Sequence, residues 1–219
     1  PTIVNDGRRL LISSQNLSFM IGDNKETTYE NIDFQSFFKN NDPHHMRFSS
    51  VLRASATFPM IMPMMALPTK PEIQLMDAGI RDNYGGKVSV DYLFALNEWL
   101  TENTSGVVIL EIRDTKRIMS NEVYKELGLI DKLFLPFGNL LTNFTRTQDL
   151  DQEQLLKLCE TSFNFPVDKV TFNLREDYNE RISLSWHLTK REKQKIENAF
   201  SSQENQMAYE NLRYLIEKQ

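Results

Sequence analysis

Cysteine is nearly missing from the chain: Cys159 stands alone, so no disulfide forms within it. With three histidines as the other soft ligands, a closed zinc site has little to draw on, and a reducing compartment is the simpler setting. Cationic charge is in deficit too. Lys and Arg number 25 against 30 Asp and Glu, a net charge of −5 with a pI of about 5.3, which argues against the broad basic surface that nucleic acids require. No run reaches the roughly 18 apolar residues that span a bilayer, and no basic stretch followed by an apolar one opens the chain. The expected location is cytoplasmic or peripheral to a membrane. Internal repeats and low-complexity tracts are also lacking.

What is present suffices for a core. Hydrophobic residues make up 40% of the chain and 14 residues are Phe, more than a disordered chain carries. For 219 residues, a prior of about 150 per domain gives between one and two domains, and with no visible linker the chain reads as a single unit. Pro1 rather than Met stands first, so further residues are expected upstream.

The apolar runs Thr2 to Val4 and Arg8 to Ser14 flank Asn5-Asp6-Gly7, a turn sequence, and Leu17 to Ile21 follows; together they predict a small β-meander. Tyr29 to Phe38 fits a helix or an ordered loop. Phe48 to Ala56 predicts a short helix that must stop before Pro59, Pro63 and Pro68. Ile73 to Met76 reads as a strand, Val88 to Glu102 as a helix, and Val107 to Ile112 as a strand covered on both faces. That strand–helix–strand order from Ile73 to Ile112 predicts a mainly parallel sheet with flanking helices, hence an α/β class. Beyond Arg113 the pattern turns helical, with a break at Pro136-Phe137-Gly138. Lys169 to Leu174 and Arg181 to Trp186 predict two strands, a hairpin across Glu176 to Glu180. Thr189 with Glu192 forms a capping box for a helix to Phe200, and Glu204 to Lys218 a last helix.

Arg53-Ala54-Ser55-Ala56-Thr57-Phe58-Pro59, a proline-rich loop, and then Leu75-Met76-Asp77-Ala78-Gly79-Ile80-Arg81-Asp82-Asn83 together resemble the second half of the patatin-like phospholipase family. In that family a helix end of the Ala-Ser-x-Ala type leads through a loop to a strand ending in Asp-Gly-Gly or Asp-Gly-Ala, with Asn a few residues on. Asp77 matches the catalytic aspartate, Gly79 the second small residue and Asn83 the asparagine, while Ser55 lies in the helix-end motif. Ala78 departs from the usual Gly, and Gly85 stands where the family often has Pro. The resemblance implies residues 1–115 as the C-terminal half of a partial patatin-like catalytic domain and 116–219 as a helix-rich extension with the hairpin. It also implies hydrolysis of an acyl ester in a phospholipid or other lipid by a Ser–Asp dyad, with no metal and no cofactor.

The residues alone support part of that chemistry. An acid at the carboxyl end of a sheet strand, followed by small residues, sits where open α/β sheets place ligand crevices. A free Asp titrates at about 3.9 and is a weak base for a hydroxyl, so such a site must raise that value or transfer the proton as attack occurs. None of the eight glycines begins a GxSxG elbow. The expectation is that the nucleophile and oxyanion glycines belong to a missing N-terminal half and that this chain alone is inactive. An open sheet edge or apolar face is then expected, covered by that half or by a second copy in a homo-oligomer. The alternative is a non-catalytic interaction or scaffold module that keeps the fold.

Remaining candidates carry plainer readings. Ser55, between alanines, lacks the glycines of a nucleophile elbow and reads as helix packing, as does Ser50. Met60, Met62 and Met64, among prolines, form a soft apolar loop suited either to lining an acyl pocket or to core packing. His44-His45 point apart and lack a third ligand, and His187 lacks a triad acid. The run Leu127 to Phe144 has few charges; a buried helix pair is its favoured reading, transient contact with a membrane surface the other.

Overall fold

The computed structural model describes residues 1–21, 30–57, 63–114, 129–175, 182–183 and 187–218, with 129–143 and 145 as backbone alone. They form a mixed α/β structure in two compact units, Pro1–Asn97 with Asn139–Leu158, and Glu98–Gly138 with Cys159–Gln219.

The first unit opens with β1 (Thr2–Ile3) and β2 (Arg9–Leu11). The Asn5–Gly7 turn between them closes through the Gly7 N–H to the Ile3 carbonyl at 2.8 Å. The third apolar run is not a strand: Ser18–Met20 is a single 3-10 turn, begun by the Asn16 side chain accepting the Ser18 N–H at 2.7 Å. The third partner is instead β3 (Asn31–Asp33), parallel to β2. Asp33 ends that strand and caps the one-turn helix α1 (Phe34–Phe37), accepting from the Ser36 N–H at 3.1 Å and its hydroxyl at 2.6 Å. Helix α2 (Phe48–Ser55) forms as its sequence predicts. Then come β4 (Met65–Leu67), β5 (Ile73–Met76), the single turn α3 (Gly79–Asp82) and α4 (Gly86–Ala95).

These strands make one sheet in the order β3-β2-β1-β5-β4. Only β2 with β3 is parallel; β1–β2, β1–β5 and β4–β5 are antiparallel, so the expectation of a mainly parallel sheet is corrected. Connections as short as Val4–Arg8 and Pro68–Glu72 return the chain at once and permit only antiparallel pairing. The sheet core gathers Ile3, Leu10, Phe34, Phe38, Ala54, Leu67 and Leu75, from every strand but the edge β3 and from α1 and α2. Ala54 packs α2 closely against β5.

The predicted helix over Val88 to Glu102 divides at Leu96 into α4 and α5 (Asn97–Asn103). Next come β6 (Val107–Arg113), α6 (Leu129–Ser162), β7 (Val167–Asn173), α7 (Lys190–Phe200) and α8 (Gln203–Glu217). The expected strand–helix–strand unit of Ile73 to Ile112 does not form, because β5 has both edges occupied by β1 and β4. In the second unit β6 pairs in parallel with β7, from Val107↔Val167 to Arg113↔Asn173. Helix α6 runs through Pro136 and Gly138, where a break was expected.

Burial on both faces of β6 is also corrected. Ile112 is 62% exposed and Leu110 is exposed, while Glu111 takes the covered side, accepting from the Thr171 hydroxyl at 2.9 Å and pairing with Arg113 at 3.1 Å and Lys169 at 3.7 Å. Buried Asn205 of α8 serves Asn173 as a neighbouring strand would: its Oδ1 accepts the Asn173 N–H at 2.9 Å and its Nδ2 donates to the Asn173 carbonyl at 2.7 Å. The proposed hairpin strand, Arg181 to Trp186, falls largely outside the described residues.

Candidate functional site

Asp77 leaves the carboxyl end of β5, and α2 fixes that end in place. The Asp77 N–H donates to the Thr57 carbonyl at 2.9 Å and the Ala78 N–H to the Ser55 carbonyl at 3.2 Å. Thr57, fully buried, donates its hydroxyl to Ala54 and Leu75 carbonyls. On the other side the Thr2 hydroxyl donates to the Asp77 carbonyl at 3.1 Å. The two halves of the motif read from sequence therefore meet through backbone hydrogen bonds.

The half-buried Asp77 carboxylate is held from one side only. Its Oδ1 accepts the Gly79 N–H at 2.6 Å, whereas Oδ2 has no hydrogen bond or ion pair among the described residues. A Cβ on Gly79 would lie 2.6 Å from Asn83 Oδ1 and 2.8 Å from Asp77 Oδ1, so the acid and the amide flank a position that admits no side chain. Ala78, by contrast, is right-handed helical at φ −65°, ψ −31°, and a methyl group is at ease there. Gly85 has φ +70°, a conformation that proline's ring forbids. At this position the departure from the family pattern is built into the backbone.

The loop after Asp77 rests on groups that sequence reasoning missed. Gln148 of α6 accepts the Asn83 N–H at 3.0 Å and donates to the Ile80 carbonyl at 2.8 Å. One helical turn on, Gln152 donates to Asp82 Oδ1 at 2.8 Å. Buried Asp82 also accepts the Lys87 and Val88 N–H groups at 3.2 and 2.9 Å, capping α4. It lies 3.6 Å from Arg9, which pairs further with Asp91 and, at 3.3 Å, with Glu30. Arg81 joins Glu30 at 3.0 Å and donates to the Gly7 carbonyl. The i, i+4 spacing of two glutamines is the one local signal, and it is common on exposed helix faces.

The other candidates are scattered. Ser55 contributes its carbonyl to the site and is half-buried at the end of α2. Met64 is 45% exposed ahead of β4, so core packing is not its role; Met60 and Met62 lie outside the described residues. His44 and His45 are exposed, and His45 Nδ1 lies 2.7 Å from Asp42 Oδ2. Buried Cys159 has its thiol pKa raised by that burial. Among the described residues no three His, Cys, Asp or Glu converge on a metal position, and no helix is long and apolar enough to cross a membrane. An open cavity of about 160 Å³ in the second unit, lined by Gly106, Pro166, Asp168 and Lys218 among others, involves no residue of the Asp77 loop.

No family model, characterised protein or solved structure matches the chain. Functional reading therefore rests on the geometry of the Asp77 loop and on the motif resemblance.

Proposed function

We propose that the chain supplies the aspartate of a Ser–Asp lipid acyl hydrolase of the patatin-like kind. One observation supports this above the rest: Asp77 sits at the tip of β5 with Oδ1 fixed by the Gly79 N–H and Oδ2 left with no partner among the described residues. In the reaction, a serine hydroxyl from a GxSxG elbow outside these 219 residues would meet Oδ2. Asp77 takes its proton as the oxygen attacks the ester carbonyl, and the proton passes to the departing alcohol; water then releases the acid from the acyl-serine by the same route reversed. Backbone N–H donors must hold the developing oxyanion, and they too are sought outside this chain.

A second reading, a non-catalytic interaction module, is favoured by the absence of any GxSxG among the eight glycines. The coding sequence ahead of Pro1 separates the two, since without an elbow there the hydrolase reading fails. With an elbow, the extended protein is assayed on a p-nitrophenyl ester beside its Asp77→Asn variant. The expected result is loss of at least about 100-fold in rate with an unchanged melting curve; undiminished turnover overturns the assignment of Asp77.

A further inference from the structure

From Pro43 to Pro71 the chain contains no Asp or Glu, although it has 30 in 219 residues, and this stretch carries Arg47, Arg53 and Lys70. Within it lies α2, whose buried ridge at Ala54 is committed to β5. The opposite side carries large apolar residues among its polar ones. Phe48 is 74% exposed and Leu52, one turn later, is exposed as well. At about 100° per residue, Phe48, Leu52, Ser49 and Arg53 occupy one arc of about 140°, and exposed Arg47 stands at the N-cap.

We propose that this face of α2 is a docking surface for anionic lipid bilayers. A helix lying in the interface buries its apolar side chains at the headgroup boundary while cations beside them meet lipid phosphates and carboxylates. Phe48 and Leu52 supply the first element and Arg47 and Arg53 the second, on a chain whose net charge is −5. Charge selects the occupant: a helix face that pairs Phe48 and Leu52 with arginines, on a helix without Asp or Glu, complements a negative surface. The nearest acid along the chain, Asp42, is engaged with His45. Two apolar side chains and two arginines make a weak, reversible anchor. Because Ser55, at the end of α2, accepts the Ala78 N–H, docking here sets the Asp77 loop at a fixed distance from the bilayer. The proposal goes beyond the hydrolytic reading and survives if Asp77 proves idle, since its readout is binding.

The test is co-sedimentation of the full 219-residue chain with phosphatidylcholine vesicles, with and without phosphatidylserine. Binding is expected on the anionic vesicles and is expected to fall at least about fivefold per arginine when Arg47→Glu and Arg53→Glu are introduced, with rescue by Arg47→Lys and Arg53→Lys. Phe48→Ser with Leu52→Ser is expected to lower it about tenfold or more, while Ile112→Ser, on another exposed apolar residue, leaves it unchanged; circular dichroism checks that each variant is folded. Absence of binding to the anionic vesicles overturns the proposal, as does equal loss with Ile112→Ser. A Phe48-dependent dimer in sedimentation velocity without vesicle binding also overturns it, and assigns the face to a second copy.

Discussion

In the first unit a buried cation, Arg9, lies among three carboxylates, Asp82, Asp91 and Glu30, whereas in the second a mostly buried anion, Glu111, lies beside Arg113, Lys169 and the Thr171 hydroxyl. Both arrangements neutralise charge beneath a sheet, but they differ in what the hub protects. Around Arg9 the acids Asp91 and Glu30 reach solvent and can rehydrate; Asp82 cannot, and it holds the loop between Asp77 and α4. Around Glu111 the hub lies between adjacent strands and joins β6 to β7 along their length. The first network shapes a loop and the second fastens a strand pair.

That contrast is broken most directly by removing each hub. Arg9→Met keeps the volume and leaves Asp82 with only Gln152 and two backbone donors. A loss of about 3–5 kcal/mol is expected in urea unfolding, part of it recovered when Asp82→Asn is added. Glu111→Gln retains an acceptor for Thr171 and is expected to cost about 1–3 kcal/mol in the same measurement. Equal costs would show that the two hubs are equivalent and that the loop has no special dependence on Arg9.

A smaller effect tests the loop itself. Gly79→Ala places a methyl group against Asp77 Oδ1 and Asn83 Oδ1, and the carboxylate must turn or the backbone must shift. The expected cost is about 1–3 kcal/mol. Ala78→Gly, one residue earlier in helical backbone, serves as the comparison and is expected to cost no more than about 1 kcal/mol. A larger cost at Ala78 than at Gly79 would mean that the close approach at Gly79 is relieved without strain.

How far the sequence reveals these networks depends on how far their partners lie along the chain. The Asn5–Gly7 turn, α2, the strand that ends at Asp77 and the capping box at Thr189 are all legible, because each is decided by residues within a few positions of one another. Arg9 reads as an ordinary strand residue; its partners extend 82 residues away, and no local pattern marks it as a hub. Gln148 and Gln152 are hidden for the same reason, meeting Asn83 and Asp82 only in the folded chain. The strand–helix–strand reading fails because an apolar run such as Val107 to Ile112 does not name its neighbour: it pairs in parallel, but with β7 and not with β5. The same run misleads about burial, since Glu111 satisfies its charge inward and leaves Leu110 and Ile112 outside.

The smallest effect belongs to a partly exposed acid, where water still competes with its contacts. Glu192 accepts the Thr189 N–H at 2.8 Å and the Ser183 N–H at 2.9 Å, and these hydrogen bonds, Ser183's foremost, lower its pKa to about 2. With a folded value below the unfolded one, its contribution to α7 is complete above the ordinary glutamate range and is lost as pH falls through about 2. The Glu192 carboxyl resonance followed by NMR is expected to titrate near that pH. Thr189→Ala removes the reciprocal cap, costs about 1 kcal/mol, and should raise the Glu192 midpoint. If the midpoint stays low in that variant, the backbone N–H groups of Ser183 and residue 189 hold the carboxylate without the hydroxyl, and the threonine side chain contributes only to the backbone of α7. In contrast to Asp82, which holds two backbone N–H groups and Gln152 in a buried site, Glu192 leaves no buried donor stranded when it is neutralised.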